Sequence, residues 1–104
     1  MRKERNRWKI ILDLLKVIKD EKKAKKTRIM NKAYLDWNNF NRYLDFLLDE
    51  NYIMRNLEES NVYEITDNGI YLLEKLKDVE AILEKKEKTL NPNFTYILRE
   101  PQEF

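Results

Sequence analysis

The spacing of apolar residues along this chain changes at one place, and that change restricts the folds open to it. Trp8, Ile11, Leu12, Leu15 and Ile18 recur at steps of three and four, the mark of one helical face. Ile29, Met30 and Ala33 form a shorter apolar side, and Phe40, Tyr43, Leu44, Leu47 and Leu48 a longer one. After Asn51 this period is lost. Tyr52-Ile53-Met54 with Leu57, and Val62-Tyr63-Glu64-Ile65, are two β-prone runs around the polar stretch Glu58-Glu59-Ser60-Asn61. Such a pair reads as a hairpin. Leu72, Leu76, Val79 and Leu83 then restore helical spacing as a heptad seam, widened by Leu73 and Ile82.

Local signals set the expected boundaries. The first helix is expected over Arg5–Lys19, with Asp20-Glu21-Lys22-Lys23 as a polar turn. Thr27 is expected to cap the short second helix, and Asp36 a third helix over Trp37–Asp49, because short oxygen-bearing side chains accept from free amides at a helix start. Tyr34-Leu35 is the turn between these two helices. Asn51 suits a left-handed stop. Thr66 caps a fourth helix from Asp67 to about Lys88, and Asn91-Pro92-Asn93 ends it. The fold expected is mainly α with a small β-hairpin: a winged helix-turn-helix followed by a C-terminal dimerisation helix. Residues 1–66 form the winged helix-turn-helix unit, 67–90 the dimerisation helix, and 91–104 an apolar tail expected to dock.

Composition narrows the function. Among the 104 residues there is no His and no Cys, which removes the usual general base and the commonest metal ligands. No Gly-rich phosphate loop and no cluster of metal-ligand residues is present, so no catalytic residue, metal, cofactor or small-molecule substrate is expected. No long apolar run and no signal-peptide pattern occurs, so no membrane partner is expected and the protein should be cytoplasmic and nucleoid-associated.

The formal net charge of +2 conceals an asymmetry. Residues 1–32 hold 13 basic and 4 acidic residues, a net of +9, whereas residues 33–104 hold 8 and 15, a net of −7. A basic end suggests a polyanionic partner. Lys22, Lys23, Lys25, Lys26 and Arg28 lead into the second helix, where they are expected to meet phosphates. Asn38, Asn39, Asn41 and Arg42 cluster in the first half of the third helix. Asn can pair bidentately with adenine and Arg with guanine, so these residues are the candidates for base readout. Trp37 beside them and Arg55 in the hairpin complete the expected interface with double-stranded DNA. Trp8 and Tyr43 fall on apolar stripes and are expected in the core. The seam Leu72, Leu76, Val79 and Leu83 would be bare in a monomer and is expected to pair two copies through the fourth helix.

The run Lys26-Thr27-Arg28-Ile29-Met30, then Ala33-Tyr34-Leu35, resembles the archaeal winged-helix DNA-binding proteins of the ten-kilodalton chromatin class. Arg42-Tyr43-Leu44, Tyr63-Glu64-Ile65-Thr66, Asn68-Gly69 and Leu72-Leu73-Glu74 continue the likeness, which covers about Trp8 to Leu83. The resemblance implies an antiparallel coiled-coil dimer on the last helix, with duplex DNA as ligand and an architectural or regulatory role. Asn51 stands where the family has Gly after the third helix, and the hairpin tip is acidic at Glu58-Glu59. The alternative is a winged-helix module that contacts only protein, with its acidic half facing a basic partner.

Overall fold

The computed structural model describes residues 5–89, with side chains as far as Glu84. Seven elements follow one another: α1 (Arg7–Glu21), β1 (Ala24–Lys25), α2 (Lys26–Lys32), α3 (Trp37–Asp49), β2 (Ile53–Arg55), β3 (Val62–Ile65) and α4 (Asp67–Thr89). The expected tail docking at 91–104 lies outside the described residues.

The core is the meeting of the stripes read above. Leu12, Leu15 and Ile18 of α1 pack with Ile29 and Ala33, with Phe40, Leu44 and Leu47 of α3, and with Ile53, Tyr63 and Leu73. Trp8 and Tyr43 pack partly buried against this cluster, as their spacing implies. Each fully buried large aliphatic or aromatic side chain contributes about 1.5–3 kcal/mol through removal from water. Leu14, outside the single face assigned to the first helix, is fully buried as well. The reason is topological: α1 is packed by α2, β1, β3 and α4, so it buries more than one face.

α1 runs two residues beyond its expected end. Lys22, at φ 67°, closes it by donating its N–H to the Ile18 carbonyl at 3.1 Å. Lys22 and Lys23 make the bend within the expected turn, and Ala24-Lys25 after it form a short strand that the sequence pattern does not announce. β1 pairs antiparallel with β3 (Ala24↔Tyr63, Lys25↔Val62), and β3 pairs with β2 on its other side (Ile53↔Ile65, Arg55↔Tyr63). The hairpin is thus part of a three-stranded sheet in the order β1-β3-β2.

This third strand also overturns the expected cap of α2. Lys25, not Thr27, is the N-cap, and no side chain caps there. The first amide of the helix, that of Lys26, instead donates to the Asn61 carbonyl at 2.9 Å, so the sheet does the work of a cap. Asp36 caps α3 as expected, accepting from the Asn39 amide at 2.9 Å. Asn51 takes the left-handed conformation at φ 64°. Leu57 is not in a strand; it lies in the hairpin loop and is 93% exposed.

α4 starts at a tight junction. Thr66 Oγ1 accepts from the Gly69 amide at 3.0 Å and donates to the Asn51 carbonyl at 2.6 Å. A Cβ at Gly69 would overlap the Tyr52 carbonyl oxygen and lie 2.6 Å from Ile65 Cγ1. Glycine is required there for close approach, not for its dihedral freedom. Further along, Glu80 pairs with Lys9 and Lys16 and ties α4 to α1. Among the described residues no helix is long and apolar enough to cross a membrane. None of them form a group of acidic, His or Cys residues able to hold a metal.

Candidate nucleic-acid interface

The turn between α2 and α3 is held from outside. Tyr34 sits at φ 56°, a conformation that disfavours a bulky side chain, so neighbouring contacts must secure it. Arg5 supplies them: Nη2 donates to the Ala33 carbonyl at 2.7 Å and the Tyr34 carbonyl at 3.2 Å, while Nη1 pairs with Asp13 at 2.8 Å. The residue Arg5, ahead of α1 and anchored on it through Asp13, therefore holds the turn that leads into α3.

That buried side is Phe40, Leu44 and Leu47. Opposite it, at helical spacing, lie the exposed Asn38, Arg42, Asp45 and Asp49. Asn38 and Arg42 form no side-chain hydrogen bond or ion pair among the described residues. The other two asparagines are engaged locally. Asn39 Nδ2 donates to Asp36 Oδ2 at 3.1 Å, and Asn41 Nδ2 donates to the Trp37 carbonyl at 3.0 Å. A ligand reaching Asn39 or Asn41 must compete with these bonds.

The structure brings Lys26 and Trp37 together. The Lys26 ammonium lies 4.9 Å from the centre of the Trp37 ring, which is 54% exposed. This cation–π contact holds the start of α2 beside the start of α3. The other basic residues differ in their partners. Lys22 and Lys25 are exposed and form no ion pair among the described residues, whereas Lys23 approaches Glu59 of the hairpin loop at 4.0 Å. Arg28 Nε is 3.0 Å from Glu21, which also receives Lys32 at 3.1 Å. The hydrogen bond from Arg28, followed by that from Lys32, holds the Glu21 carboxyl below its ordinary value. Arg55 is exposed at the end of β2, opposite Tyr63.

Asn56 shapes the hairpin loop. Its Oδ1 accepts the amides of Glu58 and Glu59, both at 2.8 Å, and its Nδ2 donates to Glu64. The loop thus has a built conformation with an acidic tip.

A family model for winged helix-turn-helix proteins matches residues 4–84 of the chain. The chain belongs to the winged helix-turn-helix family. Two proteins of Methanocaldococcus jannaschii with no assigned function are relatives. One is 36% identical over 85 residues, covering 82% of this chain and 84% of that protein. The other is 41% identical over 80 residues, covering 77% of this chain but 36% of the longer relative. Among solved structures, the fold is similar to Sso10a-2, a DNA-binding protein from Sulfolobus solfataricus, with TM-score 0.71 and 25% identity over 82% of this chain and 88% of that one. A Listeria innocua protein of unknown function matches with TM-score 0.65 and 26% identity, over 89% and 70% of the two chains.

In winged-helix vocabulary, α2 and α3 are the helix-turn-helix and the β2–β3 hairpin is the wing. Three features of this face escaped the sequence reading. Glu21 neutralises Arg28 and Lys32, whose own i, i+4 spacing was visible while their shared partner on another helix was not. Asp45 and Asp49 continue the stripe of Asn38 and Arg42, a pattern legible from spacing. Arg7 meets Arg42 across a cleft between α1 and α3. Its only signal was that it precedes Ile11 by one turn on α1.

The four residues assigned to the seam of α4 divide into two pairs. Leu72 and Leu76 are partly buried against the chain's own core. Val79 and Leu83 are exposed, together with Ile82.

Proposed function

We propose that this winged-helix chain binds double-stranded DNA as a two-fold homodimer, in a transcription-regulating or chromatin-type architectural role on the nucleoid. The observation that carries this reading is the outward face of the helix-turn-helix. Lys26 and Trp37 mark its edge, and Asn38 and Arg42 stand unengaged on the first two turns of α3. The N-terminal part of such a helix is what reaches base edges in the major groove. Lys22 and Lys25 supply phosphate contacts beside it, and Arg55 on the wing extends them. The likeness to Sso10a-2 supports the same ligand.

Dimerisation falls to the far half of α4, where Val79, Ile82 and Leu83 form an apolar surface. Leu72 and Leu76 then serve mainly to anchor the helix to its own domain.

The experiment is fluorescence anisotropy with a selected duplex and a random one, at two salt concentrations. Binding should weaken steeply with salt, by about 0.9 in log–log slope for each phosphate neutralised. Asn38→Ala and Arg42→Ala should cost about 1–3 kcal/mol on the selected site where they make bidentate contacts, and much less on random DNA. No binding at low salt refutes the proposal. The protein-contact reading then takes over, favoured by Leu57, fully exposed beside Glu58 and Glu59 on the wing.

A further inference from the structure

An open cleft of about 330 Å³ lies between the first turns of α1 and the middle of α3. Arg7, Asn39 and Arg42 line it with polar groups, and Ile11, Tyr43 and Phe46 with apolar ones. We infer that this cleft binds a small aromatic carboxylate, and that the ligand competes with DNA for Arg42. The inference rests on the DNA-binding reading for its consequence, but not for the ligand site itself.

Charge is the first argument. Arg7 and Arg42 form no ion pair among the described residues, although Asp45 follows Arg42 on the same helix. Carboxylates elsewhere do hold cations: Asp13 holds Arg5, Glu21 holds Arg28 and Lys32, and Glu80 holds Lys9 and Lys16. Among the described residues, two guanidinium groups therefore line one cleft with no carboxylate lining it, and each is a planar fork that matches a carboxylate in bidentate geometry.

The floor supplies the second argument. Phe46 is 42% exposed, an unusual position for a large aromatic on a helix whose opposite face is already packed. Its ring lies 6.1 Å from that of Tyr52 at a tilt of 48°, which leaves it held in place at the cleft. A hydrated inorganic anion gains nothing from Ile11, Tyr43 and Phe46, whereas an aromatic body is removed from water against them. The volume lies at the low end of the range of roughly 300–1,000 Å³ usual for small-molecule pockets, which suits a single ring.

Competition follows from shared residues. Arg42 belongs to both the cleft and the outward stripe of α3, so a carboxylate that engages it withdraws it from DNA.

The test uses sodium benzoate as the probe and sodium acetate at equal ionic strength as the control, on the full chain. Amide resonances of Ile11, Asn39, Tyr43 and Phe46 should shift saturably with benzoate and not with acetate. At a benzoate concentration ten times its Kd, the apparent Kd for the selected duplex should rise about 11-fold, as simple competition requires. Phe46→Ala should keep its DNA affinity and lose both responses to benzoate. Identical effects of benzoate and acetate overturn the proposal, as does equal release of DNA from wild type and Phe46→Ala. Loss of DNA affinity in Phe46→Ala also overturns it, because the cleft would then belong to the DNA contact. If the wild type binds no duplex, the DNA reading fails by itself and the resonance titration still decides the cleft.

Discussion

Glu21 is the residue whose removal tests the electrostatics of the interface most directly. Its carboxylate lies 3.0 Å from Arg28 Nε and 3.1 Å from Lys32 Nζ, so two cations of α2 are neutralised internally. Glu21→Gln releases both. Stability should hardly change, because two opposed effects are of similar size. The lost ion pairs are exposed and screened by water, so each contributes little. A carboxylate in the last turn of α1 also opposes the helix dipole, and the substitution removes that small penalty. DNA binding should change much more. Each freed cation that reaches a phosphate steepens the log–log salt slope by about 0.9, which over a fourfold range of salt is a factor of roughly 3.5 in affinity. With both cations engaged the slope should steepen by about 1.8, a factor of about 12 over the same range. Anisotropy titrations of wild type and Glu21→Gln between 50 and 200 mM salt, the range over which such slopes are usually compared, measure this directly. A slope unchanged within error, with the fold intact, refutes the expectation that Arg28 meets the phosphate backbone and shows that Lys32, once freed, does not reach it either.

Three further outcomes are expected. Gly69→Ala should destabilise the fold by about 1–3 kcal/mol in urea denaturation, since its Cβ meets the Tyr52 carbonyl, which is backbone and cannot swing aside. Asp45→Asn with Asp49→Asn should raise affinity for random duplex by removing two carboxylates from the stripe shared with Arg42; lower affinity in the same anisotropy assay would place these carboxylates in contact with bases. The pair Lys9–Glu80 sets a pH window for stability. Its hydrogen bond to Lys9 lowers the Glu80 pKa below 4.5, so this contribution is present above about pH 4.5 and is lost as pH falls through the folded-state value. The same bond raises Lys9 above 10.5, so its contribution is present below that pH and is lost on rising through the folded-state value. Thermal melts of Glu80→Gln should show no such acid-side loss attributable to this pair.

Much of the architecture was legible because it depends on local chemistry. The stripe Phe40, Tyr43, Leu44 and Leu47 identifies α3, and Asp36 places its start, since a capping carboxylate acts within three residues of itself. The hairpin, and the left-handed stop at Asn51, follow from the same short-range rules. Helical spacing offers Asn38, Asn39, Asn41 and Arg42 together as readout candidates, because exposure on an amphipathic helix is the complement of burial; the local bonds that engage Asn39 and Asn41 are seen only in the structure.

What only the tertiary structure decided depends on residues far apart in the chain. β1 is two residues long and has no pattern of its own; it exists because β3 offers it an edge, and that pairing in turn makes Lys25 the start of α2 in place of Thr27. Glu21 silences Arg28 and Lys32 because α1 and α2 meet at its side chain. Leu14 is buried because α1 lies at the centre of the packing, and Leu72 and Leu76 turn inward for the same reason. Periodicity reports which face of an element is apolar. It carries no information about how many neighbours that element will have, and those neighbours determine which charges stay free and which apolar surface remains for a partner.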